Sequence, residues 1–254
     1  MKPIRLVPTL VLVAVLATSG STQADPSRVH VDEGSSERAI EIAQATVQAM
    51  GGWDALDATR FVAWKFFGRR QHYWDRHTGD IRIESEREGV TTIILMNIHS
   101  KEGRVFRDGV ELEGEPLAEM LENGHQAWVN DAYWMFMPYK MLDPGVTLGY
   151  VGEKSTAEGN AAWVVDLTFG DGVGYTPKNR YHVYVGKESG LVEQWDFFAD
   201  ASADEPNFAG PWKAWKAFGR IKLATSHGRD IDWKIAVLDA FPGGLLTDPA
   251  VVAE

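Results

Sequence analysis

The 254-residue chain contains no cysteine. Disulfides, thiol nucleophiles, thiolate metal centres and a lipidated N-terminal cysteine are all excluded by that one absence. Reactive signatures are missing too. There is no Gly-x-Ser-x-Gly elbow to present a serine nucleophile between strand and helix, and no Walker-type phosphate loop. Positive charge is also scarce, with 25 Lys and Arg against 36 Asp and Glu. An acidic surface of this kind repels nucleic acid and anionic membranes, so neither is an expected partner.

Long apolar runs are lacking as well. The longest, residues 6–17, is interrupted by Pro8 and Thr9 and falls short of the roughly 20 residues needed to span a bilayer. With Lys2 and Arg5 before it and Thr22-Gln23-Ala24 after it, residues 1–24 read as a cleavable secretory signal peptide cut between Ala24 and Asp25. The expected location is the periplasm or the exterior. Loss of Lys2 and Arg5 with this leader takes the net charge from −11 to −13.

Residues 25–35 are polar and read as a flexible lead-in. After Ser35-Ser36, the residues Ile40, Ala43, Val47 and Met50 fall at helical spacing, and Gly51-Gly52 ends that helix. From residue 61 the pattern changes to short aromatic and branched runs at 61–67, 70–74, 80–86, 91–98, 104–112, 146–151, 162–169, 181–185, 191–198, 220–226 and 231–238. Turn formers such as Thr78-Gly79, Glu88-Gly89 and Asp108-Gly109 separate them. A second helical face, Leu117, Leu121, Gly124, Trp128, Ala132 and Met135, interrupts this series after Pro116, and Pro138 and then Pro144-Gly145 are expected to end it. The predicted fold class is α+β: one domain over 36–254, with a large curved antiparallel sheet of about ten strands forming an unclosed half-barrel around a few helices.

Few residues look chemically committed. Gly170, Gly172 and Gly174 precede a strand pattern, where phosphate binding needs a helix, so they read as a loop. No two of the seven histidines share metal-binding spacing; His72 and His77 straddle a turn and read as surface residues. Asp166 and Asp196 are placed to face each other across neighbouring strands, as an acid–base pair or as carboxylates on a solvated face. No cofactor or metal is expected.

Ten tryptophans are a heavy load for one domain. Indoles fill cores, and some also line apolar pockets. Within 128–145, Asn130, Asp131, Lys140 and Asp143 are embedded among Trp128, Tyr133, Trp134 and Tyr139, so burial would require them to be paired. Two readings follow: an ion pair from Lys140 to Asp131 or Asp143 that fixes the helix exit, or a polar cluster at the mouth of an apolar cavity. Residues 175–181, with Asn179 and Arg180, and 210–215, with Trp212, are similar polar-aromatic segments.

At these segments the chain resembles a family of exported bacterial proteins with a Trp-x-Asn-Asp-x-Tyr-Trp-x-x-Met-Pro-Tyr-Lys-x-x-Asp-Pro-Gly-Val signature, matched here at 128–146. Thr176-Pro177-x-Asn179-Arg180-Tyr181, a Gly-Pro-Trp at 210–212 and Gly51-Gly52-Trp53 extend the resemblance to roughly residues 38–235. That family is similar in shape to LolA/LolB and LppX-type carriers, in which an unclosed antiparallel barrel shelters acyl chains. The resemblance implies a binding or carrier protein for a lipid or other apolar ligand, with an envelope protein as a further partner, and supplies no catalytic residue. The candidate ligand-binding residues are Trp128, Asn130, Asp131, Tyr133, Trp134, Tyr139, Lys140, Asn179, Arg180 and Trp212. Two alternatives stand beside it. One is a hydrolase-like enzyme whose Asp131, Tyr133, Lys140 and Arg180 converge; the other is an envelope structural or interaction protein.

Overall fold

The computed structural model describes residues 29–229 and 231–253; the expected signal peptide and the first part of the lead-in lie outside them. The chain opens with helices α1 (Glu37–Ala49) and α2 (Gly52–Ala58). Strands β1 (Phe61–Phe66), β2 (Arg70–Asp75), β3 (Asp80–Arg87), β4 (Val90–Asn97), β5 (Gly103–Arg107) and β6 (Val110–Glu111) follow as a meander. Helix α3 (Gly114–Lys140) then leads to a second meander: β7 (Val146–Ser155), β8 (Ala161–Phe169), β9 (Arg180–Gly186), β10 (Val192–Phe198) and β11 (Phe208–Pro211). A hairpin of β12 (Lys213–Phe218) and β13 (Ile221–Ser226) precedes β14 (Ala236–Leu238).

The fold is α+β and its antiparallel sheets remain unclosed. The expected single sheet is divided into three among the described residues: β14-β1-β2-β3-β4-β5-β6, β11-β10-β9-β8-β7, and β12-β13. Turn chemistry explains the extra strands. At Glu88-Gly89 and Asp108-Gly109 both residues have positive φ, and the flanking pairs Arg87↔Val90 and Arg107↔Val110 close two-residue hairpins. The expected run 104–112 is therefore two strands. Three further elements, α2, β11 and β12, lie where glycines and alternating lysines obscured any period in the sequence.

Helix α3 is the inner element. At 27 residues it is about 40 Å long, and among the described residues no helix is apolar enough to cross a membrane. Its predicted apolar stripe packs on the first sheet. Gly124 sits against Ile94 and Met96, and Met135 and Phe136 join Val62, Trp64, Trp233 and Leu223 in a shared cluster. Pro138 does not end the helix, which continues to Lys140. A proline this close to the C-terminus deletes one helical hydrogen bond near the point where the ladder stops anyway.

Residues 29–36 of the expected flexible lead-in are tied down: the His30 amide donates to Leu142, the Ser36 amide to Leu148, and the Leu148 amide to the Ser35 hydroxyl. Helix α1 buries Ala39, Ile42 and Ala43 against β7–β9 and the end of α3, and Val47 in the cluster shared with α2 and β1. Gly51 makes the junction to α2 possible. Its φ is +117°, and a Cβ there would lie 2.3 Å from the Arg220 carbonyl oxygen. Gly51→Ala is expected to lower stability by about 2–4 kcal/mol, combining left-handed strain with a backbone clash. Chemical denaturation followed by tryptophan fluorescence checks it; an unchanged midpoint would contradict the account.

Candidate functional site

Between α3 and the two main sheets lies a cavity of about 1040 Å³. Helix α3 contributes Gln126, Val129, Asn130, Tyr133 and Lys140, residues recurring at the helical repeat and so forming one stripe. The stripe beside it, Trp128, Ala132, Met135 and Tyr139, faces the first sheet and α2. One helix therefore serves core and cavity with different faces.

The rest of the wall is largely aromatic. Phe66 and Phe67 come from the β1–β2 turn, Phe169, Tyr181, Trp195 and Phe197 from the second sheet, and Phe208 from β11. Trp134 lies edge-on to Trp195 at 4.5 Å, and Trp195 stacks on Tyr181 at 4.9 Å. The glycine loop 170–174 delivers Val173 to the wall. Gly145 permits this, because a Cβ there would meet Val173 at 2.4 Å.

Polar groups occupy defined places. Lys140 pairs with Asp143 across one turn, and both are more than a third exposed. At the rim, Glu122 accepts from Tyr175 at 2.8 Å and from Lys101 at 3.3 Å, and His125 Nδ1 lies 2.6 Å from the same Tyr175 hydroxyl. Hydrogen bonds from Gln126, Tyr175 and Lys101 hold the Glu122 carboxyl down at about 2. Deeper in, the Tyr133 hydroxyl finds no hydrogen-bonding partner among the described residues, and the ring of His227 lies by the Ala224 backbone. Burial raises the Tyr133 phenol well above its ordinary value. Burial also pushes the His227 imidazole down to about 3, against a smaller upward pull from the Ala224 backbone.

Of the ten residues singled out from the sequence, Asn130, Tyr133, Trp134, Lys140 and Asn179 line the cavity. The other five lie elsewhere. Asp131 is fully buried on the sheet side, where Arg70 donates to both its oxygens at 2.7 and 2.6 Å and His72 Nε2 lies at 2.7 Å. Burial alone would raise its carboxyl, but the bonds from His72 and Arg70 outweigh this and hold it below the ordinary range. His72 is not a surface residue but a fully buried one, stacked on Trp64 at 4.4 Å. Trp128 packs edge-on to Trp74. The Tyr139 hydroxyl donates to the Met50 carbonyl at 3.0 Å. Arg180 lies over Phe198 and donates to the Ala203 carbonyl at 2.6 Å. Trp212 is buried against Trp195 and His227.

The lysine pair anticipated at the helix exit thus forms with Asp143, while Asp131 has other partners. Asp166 and Asp196 are not on neighbouring strands: β9 runs between β8 and β10, and its His182 is the cross-strand partner of both. His182 Nε2 lies 3.4 Å from Asp166, and Tyr184 donates to Asp196 at 2.7 Å. Among the described residues no cluster of His, Asp and Glu is arranged to hold a metal. Sequence reasoning missed Phe66, Phe67, Phe169, Phe197, Phe208, His227 and Arg229. They sit at turns, strand ends and loops, where no periodicity marks the inward side.

No protein-family model matches the chain, and no curated protein sequence matches it either. Among solved structures, it is similar to a DUF1329 family protein from Desulfovibrio piger, with 12% identity over 83% of this chain and 98% of the other and a TM-score of 0.44. It is also similar to a putative outer membrane lipoprotein-sorting protein domain from Vibrio parahaemolyticus, with 9% identity over 83% and 97% and a TM-score of 0.41. Likenesses this distant assign no function.

Two outcomes follow from these electrostatics. Asp131→Ala strands Arg70 and His72 and is expected to cost about 3–5 kcal/mol, whereas the exposed Lys140 pair makes Lys140→Ala worth less than about 1 kcal/mol. Equal losses in denaturant titrations would overturn this ranking. His72 and His227 are both depressed by burial. The unfolded chain therefore takes up protons below about pH 6.5 that the folded chain refuses, and stability falls as pH drops from there. Each histidine contributes a slope of up to about 1.4 kcal/mol per pH unit. His227→Phe should flatten stability against pH between 6.5 and 4; an unchanged slope would mean that His227 is not neutral in the folded state.

Proposed function

We propose that this chain is an exported, non-enzymatic binding or carrier protein that holds a lipid or other apolar molecule in the cavity beside α3. The observation that carries the reading is the cavity itself: about 1040 Å³, walled mostly by aromatic and aliphatic side chains with a few polar groups among them. Sites for small ligands typically occupy about 300–1000 Å³ and have this composition. The aromatic wall would meet the apolar body, while Asn130, Lys140, Asp143, Thr176 and Asn179 would meet a polar end.

The hydrolase-like alternative needs Asp131, Tyr133, Lys140 and Arg180 at one point. Only Tyr133 and Lys140 line the cavity, Lys140 is paired with Asp143, and Asp131 is engaged by Arg70 and His72 on the sheet side. These four groups do not converge, which supports binding over that enzyme.

The test is titration with N-phenyl-1-naphthylamine, a neutral probe that fluoresces in apolar surroundings. Saturable binding is expected, and a probe at about 100 times its Kd should stabilise the fold by about 2.7 kcal/mol. Val129→Trp, which adds bulk to the α3 wall, should weaken binding at least about tenfold, since about 1.4 kcal/mol corresponds to that factor. Val110→Trp on the exposed tip of β6 should leave binding unchanged. Failure to bind, or equal binding by both variants, would reject the cavity as the site.

A further inference from the structure

The charges in the cavity wall bear on the polar end of the ligand. Lys140, Asp143 and Arg229 are the side chains of that wall that carry charge at neutral pH. His227 adds none, because burial pushes its imidazole down to about 3. Lys140 and Asp143 cancel each other as an ion pair. The wall therefore keeps one net positive charge, in a chain whose 36 Asp and Glu outnumber its 25 Lys and Arg. That charge belongs to Arg229.

We infer that the ligand is an amphiphile with one anionic end group, a carboxylate, phosphate or sulfonate, which the Arg229 guanidinium receives while the apolar body lies along the aromatic wall. The inference rests on the binding role proposed above and specifies the charge of what that site holds.

The guanidinium is held at the wall by a ring and not by an acid. Arg229 is exposed, lines the cavity and forms no ion pair with a described residue, and its guanidinium carbon lies 5.3 Å from the centre of the Phe67 ring. Phe67 belongs to the same wall and packs edge-on against Trp134 at 5.5 Å and Trp233 at 5.0 Å. Gly228, at φ +83°, turns the chain between the buried His227 and the exposed Arg229. The cation thus stands where the aromatic wall meets water. Contact with a ring face leaves the N–H groups at the edge of the planar fork available, and that fork suits the paired oxygens of a carboxylate, phosphate or sulfonate.

The sign follows from what each kind of end group would gain. An ammonium would meet an unmatched like charge, and an uncharged end would leave the fork to solvent. An anion gains a charge-assisted pair. Because Arg229 is exposed, that gain is worth about fivefold in affinity rather than orders of magnitude. The net negative charge of the whole chain repels anions at a distance, so recognition of one here has to come from this local group.

The probe pair for the test is N-phenyl-1-naphthylamine and 1-anilinonaphthalene-8-sulfonate, the same ring body with one sulfonate added. Both are titrated against the whole protein by their own fluorescence. Arg229→Gln is expected to lower the affinity for the sulfonate relative to the neutral probe about fivefold, and Arg229→Glu to lower it further. Added salt should weaken the sulfonate on the parent more than on Arg229→Gln. Inorganic phosphate at constant ionic strength, having no apolar body, should displace neither probe; displacement of the sulfonate would make this a site for a free anion and overturn the inference. Asp230, the next residue in the chain, lies outside the described residues, and Asp230→Asn should raise the affinity ratio less than Arg229→Gln lowers it. An equal or larger rise would mean that Arg229 is matched within the chain, which also overturns the inference. So would an unchanged ratio in Arg229→Gln, or a parent that binds N-phenyl-1-naphthylamine but not the sulfonate; the cavity reading then stands and only the ligand's charge falls. If N-phenyl-1-naphthylamine fails as well, both fall together.

Discussion

The fully buried Asp131 carboxylate is the contact on which the orientation of α3 depends. Arg70 and His72 both come from β2, and Asp131 comes from the middle of α3, so their hydrogen bonds fix the helix in rotation and in height against the first sheet. A helix held by apolar contacts alone can rotate by a residue at modest cost; one held by a buried bidentate carboxylate cannot, because any rotation strands a charge. With Asp131 fixed on the sheet side, the 100° step of the helix directs Tyr133 and Lys140 to the opposite side and Asn130, which donates to Asp131 at 2.9 Å, to the flank between them. The cavity stripe is thus a consequence of where Asp131 is bound.

That arrangement explains both what the sequence of α3 revealed and what it concealed. Its apolar stripe, Leu117 to Met135, was legible because a buried face repeats at 3.6 residues. Asn130, Tyr133, Trp134 and Lys140 were legible as unusual because polar groups stood among bulky apolar ones. Their division into two faces was not legible. Asn130 and Asp131 are neighbours of similar chemistry, and only the location of Arg70 and His72, some sixty residues earlier in the chain, tells which one is buried and which faces the cavity. The surface reading of His72 failed for the same reason: it was judged by its neighbours at the turn, whereas its partner is Asp131 on another element.

The strands show a parallel division. Hairpins closed by Glu88-Gly89 and Asp108-Gly109 carry their own turn chemistry and could be read locally, as could most of the antiparallel meanders. The split into three sheets is non-local. Strand β14 pairs with β1, and the β12–β13 hairpin touches the α1–α2 junction where the Lys222 amide donates to Met50. Neither contact leaves a trace in nearby sequence. Pro138 misled because a helix-breaking residue was weighed by identity; two residues from the end of α3 it has little helix left to break.

The tryptophans join these threads. Trp64, Trp195, Trp212 and Trp233 are almost completely buried, yet of these only Trp195 lines the cavity, together with the half-buried Trp134. The aromatic load is therefore mainly structural, as a chain without disulfides requires of its core. It also sets the electrostatics of the cavity. Indole and phenyl walls exclude water from His227, and exclusion of water keeps its imidazole neutral. The same side chains that hold the domain together thereby keep one titratable group of the cavity wall, His227, uncharged.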